Sequence, residues 1–136
     1  MLRWDTHGLH RSILSVMLFA VLLSGCGGES GPARYDISGK VTFDGKPIPQ
    51  GSIAFQPVDG GIGGGFAIIQ DGQYDTSQGG RGHLGGSHKV VITGTDGTPV
   101  NAADPDAGMI ELFPAYETTH ELPEESGTQD FDVPAG

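Results

Sequence analysis

The chain has one cysteine, one tryptophan, and only seven Lys and Arg against seventeen Asp and Glu. Each shortage excludes something. With Cys26 alone, no intrachain disulfide can form, so its thiol needs another explanation, such as modification or pairing with a second chain. From Cys26 onward five Lys or Arg face sixteen Asp or Glu, a net charge of −11 with histidines neutral. Such a surface is repelled by nucleic acid and by anionic headgroups, so neither partner is expected through a basic patch. The sequence contains no Gly-x-Ser-x-Gly elbow and no His-Glu-x-x-His pair, and no second cysteine to serve as a nucleophile if Cys26 is modified. No catalytic residue and no cofactor is assigned, and the chain is not expected to be an enzyme.

Long hydrophobic runs are also missing. The longest, Ile13–Leu23, has eleven residues, whereas a bilayer-spanning helix needs about 20 and a secretory h-region runs about 7 to 15. Arg3 and Arg11 precede it. Residues 1–25 therefore read as a cleaved signal peptide. The junction Leu23-Ser24-Gly25-Cys26 resembles the lipobox of bacterial lipoproteins, an aliphatic residue and two small residues before an obligatory cysteine. The resemblance implies a diacylglyceryl group on Cys26, cleavage just before it, and attachment to the membrane through that lipid. Gly27 stands where an Asp would signal inner-membrane retention, so the outer membrane or periplasmic face is favoured. Residues 26–34 read as the lipidated cysteine and a flexible Gly-rich tether, with a reach of about 15 Å.

What is abundant is glycine and proline, 24 and 9 in 136 residues. These break helices repeatedly and leave short β-branched and aromatic runs intact. Residues 35–136 are expected to form one all-β domain. Ile37, Gly39, Val41 and Phe43 alternate with Ser38, Lys40 and Thr42, which predicts a half-buried strand. The segment Ser52–Pro57, with Ile53 and Phe55 inward, is expected to pair with it across the connection DGKPIPQG, residues 44–51, which opens with the turn residues Asp44-Gly45-Lys46-Pro47. Further strands are expected over 66–70, 73–77, 88–93, 110–113 and 129–133, the strongest placing Val90 and Ile92 in the core and Lys89, Val91 and Thr93 outside. The aromatics Phe43, Phe55, Phe66, Tyr74 and Phe131 fall mostly on inward faces in this reading. Seven short strands at intervals of about ten residues point to a sandwich.

Residues 35–94 carry a resemblance to the carboxypeptidase regulatory-like, or transthyretin-like (prealbumin-like), domains. Ile37, Gly39, Val41, Gly45, Pro47, Ile48, Gly51, Ile53 and Phe55 occupy the places of that family's opening pattern. Asp71-Gly72-Gln73-Tyr74 is similar to its turn into a strand, and Gly85–Gly94 to its later strand, with Gly85 and His88 replacing the usual Pro and Tyr. Pro114 and Tyr116 fit its usual ending. The resemblance implies a small seven- or eight-stranded Greek-key β-sandwich, used as an accessory or display module without common catalytic residues.

Several groups invite a ligand. Gly60–Gly65 is glycine-rich but lacks the Lys-Ser or Lys-Thr of a phosphate loop, so it reads as a flexible hairpin connection. Gly79–Gly86, with Arg81 and His83, reads as a mobile loop. His83, His88 and His120 are good zinc or copper ligands in type, yet no spacing among them forces convergence. His88 is expected at a core-facing strand position with one nitrogen reaching solvent. Asp104 and Asp106 have the spacing of part of a calcium loop, but Gly108 sits where a third oxygen ligand belongs. No metal is assigned. Glu121, Glu124 and Glu125 read as a solvated acidic face. The resulting expectation is a lipid-anchored structural or interaction module with an envelope protein partner. The alternatives are a carbohydrate- or calcium-binding module, marked by exposed aromatics on one sheet face, or an accessory subunit of an envelope peptidase or secretion complex.

Overall fold

Two Asp-Gly dipeptides shape the first half of the domain. Asp44 and Gly45 have φ of 51° and 73°, and Asp71 and Gly72 have φ of 50° and 73°. Positive φ at both central residues is the turn whose twist matches paired strands, and Asp-Gly supplies it with least strain. The first turn folds β2 (Lys46–Pro47) back onto β1 (Ile37–Phe43). The second joins β4 (Gly65–Gln70) to β5 (Gln73–Asp75). The computed structural model describes residues 31–136, and the expected signal peptide over 1–25, with Leu23, Ser24 and Gly25, and the expected lipidation site Cys26 lie outside them.

The described residues are almost entirely β. After β2 come β3 (Gln50–Pro57), β6 (Gly86–Pro99), a single 3₁₀ turn at Pro105–Ala107, β7 (Met109–Glu111), β8 (Tyr116–Leu122), β9 (Gly127–Thr128) and β10 (Phe131–Val133). They form one mostly antiparallel sheet in the order β10-β1-β5-β4-β3-β6-β7, with β8 beside the first half of β6. β1 is shared between two groups. Its first half pairs with β5 and, in parallel, β9, while its second half pairs with β2 and, in parallel, β10.

One face of the curled sheet holds the core: Ile53, Phe55, Ala67, Ile69, Val90 and Ile92 from the three central strands, closed by Ile37, Val41, Tyr74, Phe131 and Val133. Period-two alternation puts them there, and their burial is the main stabilising term. Lys89 and Thr93 face outward, as the alternation predicts, with Val91 half-buried between them.

Four sequence expectations need correction. β3 does not pair with β1 but lies between β4 and β6, because the Asp44-Gly45 turn spends its pairing on β2 and Ile48, fully buried, then carries the chain across the core. Phe66 faces outward and is 46% exposed, since Ala67 and Ile69 fill the inward positions of β4. β8 is a full strand that polar composition concealed: Tyr116, Thr118, His120 and Leu122 face inward, Glu117, Thr119 and Glu121 outward. Residues 79–86 are packed rather than loose. Arg81 and His83 form isolated bridges to Phe66 and Tyr35, and side chains at Gly80 and Gly82 would collide with the carbonyls of Phe66 and Tyr35. These glycines serve close backbone approach.

Candidate functional site

The histidines come together even though their spacing does not require it. His83 is fully buried and His88 is 1% exposed, with ring centroids 5.9 Å apart in an edge-to-face arrangement. His120 is the cross-strand partner of His88, and its ring meets Phe131 edge-on at 5.0 Å. The hydrogen bonds fix the tautomers. His83 Nδ1 accepts from the Gly85 N–H at 2.9 Å, so the neutral ring carries its hydrogen on Nε2. His88 Nδ1 lies 2.9 Å from the Gly86 carbonyl, which can only accept, so His88 carries its hydrogen on Nδ1. Both Nε2 atoms are buried without a partner, which corrects the expectation that one His88 nitrogen reaches solvent. Burial holds the His83 pKa below its usual value, His88 adds to that, and Asp36 opposes it.

This arrangement does not suit a metal. His83 would have to surrender the Gly85 bond to free its one ring lone pair for a metal, and among the described residues no three His, Cys, Asp or Glu side chains are grouped to hold an ion. Asp104 and Asp106 flank and occupy the exposed 3₁₀ turn, and Asp104 makes no capping hydrogen bond with its side chain.

The outward face offers a different kind of site. Gln70, Gln73 and Lys40 are successive cross-strand neighbours on β4, β5 and β1. With Asp75, Gln78 and Asp130 they line a broad open depression of about 1040 Å³, shallower than the enclosed clefts that bury most of a small ligand. Asp75 is engaged, accepting from the Ser77 hydroxyl and N–H at 2.7 and 2.9 Å, bonds that lower its pKa. One Asp130 oxygen accepts from the Lys40 N–H at 2.7 Å. The side-chain amides of Gln70 and Gln73 have no protein partner among the described residues and point their hydrogen-bonding capacity at solvent. Below them Tyr74 is buried and donates to the Gln129 carbonyl at 2.7 Å. Burial, then the nearby Asp130 charge, raises its pKa, so it acts as a structural tie.

Ile68 forms one wall of the depression, 57% exposed, and Phe66 continues the same strand face. Sequence reading missed this pair because Phe66-Ala67-Ile68-Ile69 is apolar at every position and hides which phase of the alternation faces inward. The signal was Ala67, the small residue that fits between packed strands. No family model, curated protein or solved structure matches the chain.

Proposed function

We propose that the chain is a lipid-anchored cell-envelope protein whose domain is a transthyretin-like Greek-key β-sandwich working as a non-catalytic interaction module. Anchoring rests on the short apolar run ending at Leu23-Ser24-Gly25-Cys26, and the outer-membrane or periplasmic placement on Gly27. The sandwich reading is supported by β1, which passes from one strand group to the other. The observation that carries the interaction reading is the outward pair Phe66 and Ile68 on the central sheet, beside a depression of free amides. Exposed aromatic and aliphatic groups rimmed by polar side chains mark binding surfaces. The partner in this reading is an envelope protein, and a role as accessory subunit of an envelope peptidase or secretion complex is a separate alternative.

A photo-crosslinking residue at Ile68, compared with one at exposed Asp106, tests the surface in intact cells. A discrete adduct from position 68 and none from 106 supports the reading. Equal yields from both, or none from 68, would contradict it.

One observation favours a second reading, carbohydrate binding. An exposed aromatic on a sheet face was the expected mark of such a module, and Phe66 supplies it next to Gln70 and Gln73, whose amides can both donate to and accept from sugar hydroxyls. Retardation of the full chain in gels containing neutral polysaccharide, lost on Phe66→Ala and Gln73→Ala, would establish this in place of a protein partner.

A further inference from the structure

Val58 to Gly64, the connection between β3 and β4, is short, glycine-rich and apolar at its tip. Ile62 is the most exposed large apolar side chain among the described residues, at 85%, and Val58 is 59% exposed. Gly63 rests on Leu84, which extends the apolar surface from beneath. The single charge in the connection, Asp59, accepts a hydrogen bond from the Gly61 N–H at 2.9 Å.

The position of this tip matters because of where the chain arrives. Arg34 donates from Nη1 to the Gly64 carbonyl at 3.1 Å and to the Gly82 carbonyl at 2.7 Å. The polypeptide therefore enters the domain against the base of the Val58–Gly64 connection. Arg34 is eight positions after Cys26, and eight residues span at most about 29 Å even when fully extended.

We propose that the Val58–Gly64 connection is a membrane foot, with Val58 and Ile62 entering the headgroup–acyl boundary of the bilayer that holds the Cys26 lipid. This inference rests on the lipid-anchor reading. It commits to a lipid surface for three reasons. The entry point at Arg34 keeps the tip within the tether's reach of the anchor. The net charge of −11 from Cys26 onward opposes electrostatic attraction of the domain to anionic headgroups, so contact must come through uncharged apolar groups. The tip is also too small for a stable protein interface, which buries about 1,200–2,000 Å² in total.

Asp59, turned back onto Gly61, limits the foot to shallow insertion. Two aliphatic side chains bind more weakly than one acyl chain, and a single acyl chain is itself marginal. The foot thus orients a domain that the lipid already holds.

Orientation has a definite consequence. Val58 donates its N–H to the Ser87 carbonyl at 3.0 Å, at the start of β6, whereas Met109 pairs with Pro99 at its end. β6 has 14 residues, on the order of 40 Å at about 3.3 Å each. A separate exposed apolar group, Val100, Met109 and Ile110, is then held well away from the bilayer.

Tryptophan reporters test this in the lipidated protein expressed from the full chain, with Trp4, the only native tryptophan and part of the expected leader, changed to Phe so that any uncleaved precursor adds no emission. Ile62→Trp and Ile110→Trp alter exposed side chains and preserve the core. Each protein is reconstituted on phosphatidylcholine vesicles with plain or brominated acyl chains and recovered by flotation. The tryptophan at position 62 is expected to shift to the blue and lose emission on brominated vesicles, while that at position 110 emits equally on both. Flotation with no quenching at position 62, or with equal quenching at both positions, overturns the foot and leaves the anchor standing. Failure to float overturns the anchor and the foot together.

Discussion

Ile92 and Thr93 are adjacent on β6 and differ in almost nothing but the face they occupy, so the same substitution at each isolates the effect of burial. Ile92 is fully buried between its register partners Ile53 and Tyr116. Ile92→Asp forfeits about 1.5–3 kcal/mol of apolar burial and places a carboxylate where no cation is within reach, at an effective cost of several kcal/mol. The sum rivals the roughly 5–15 kcal/mol that holds a small domain folded. Thr93 is exposed and its hydroxyl shares a hydrogen bond with Ser52 at 2.9 Å. Thr93→Asp loses that bond and some β-propensity, together about 1 kcal/mol. Circular dichroism melts of the full chain in detergent should show no cooperative transition for Ile92→Asp and a near-parental one for Thr93→Asp. Acidification should partly restore the first variant, because a neutral carboxyl is cheaper to bury. If Thr93→Asp is the destructive change, the faces of β6 are reversed; if both melt like the parent, β6 is not a core strand.

Two other substitutions probe the packed segment before β6. Gly82→Ala drives a methyl group toward the Tyr35 carbonyl, so it should cost about 1–3 kcal/mol of stability by overpacking, and a parental melting temperature would show that the segment can move aside. His83 has a folded-state pKa depressed below 6.5 by burial and by His88, so between that lowered value and 6.5 the unfolded chain binds more protons than the folded one. Stability should therefore be complete above pH 6.5, decline as pH falls below it with a slope of at most one proton, and stop declining on this account once His83 is charged in both states. Denaturant titrations across pH 4.5–8 read this slope, His83→Gln should flatten it, and an unchanged slope in that variant would assign the effect elsewhere.

The legible parts of the fold were those where a side chain's chemistry depends on one neighbour at a time. Alternation along Ile37–Phe43 and His88–Thr93 gave the right inward residues because Ile37 and Val41, and Val90 and Ile92, stand two or four positions apart with Lys40, Lys89 and Thr93 fixing the outer phase, even though Val91 breaks the pattern. The Asp-Gly turns were readable for the same reason, since positive φ is a local demand. Pairing was less legible: β1 and β3 look like a hairpin, but which strands meet depends on what Ile48 buries against, a long-range matter. β8 went unseen because threonine and histidine fill its inward positions, where only the enclosing strands make burial acceptable. Residues 79–86 have the composition of a loose loop, and only the backbones opposite reveal that Gly80 and Gly82 are there for close approach. The histidine group illustrates the same limit, as His83 reaches His88 through a bridge to Tyr35 that no spacing encodes.

Metabolic labelling tests the proposed lipid at Cys26 directly. Cells expressing the full chain and Cys26→Ser are grown with radiolabelled palmitate, and their membranes are washed with alkali and high salt. The parent should carry label and stay with the membranes. Cys26→Ser, which lacks the thiol that would accept a diacylglyceryl group in the proposed modification, should carry none and appear in the soluble fraction if its leader is removed by another route, or as an unlabelled, full-length precursor if it is not. A Cys26→Ser protein that still incorporates palmitate, or a parent that incorporates none and washes off, would contradict the anchored module.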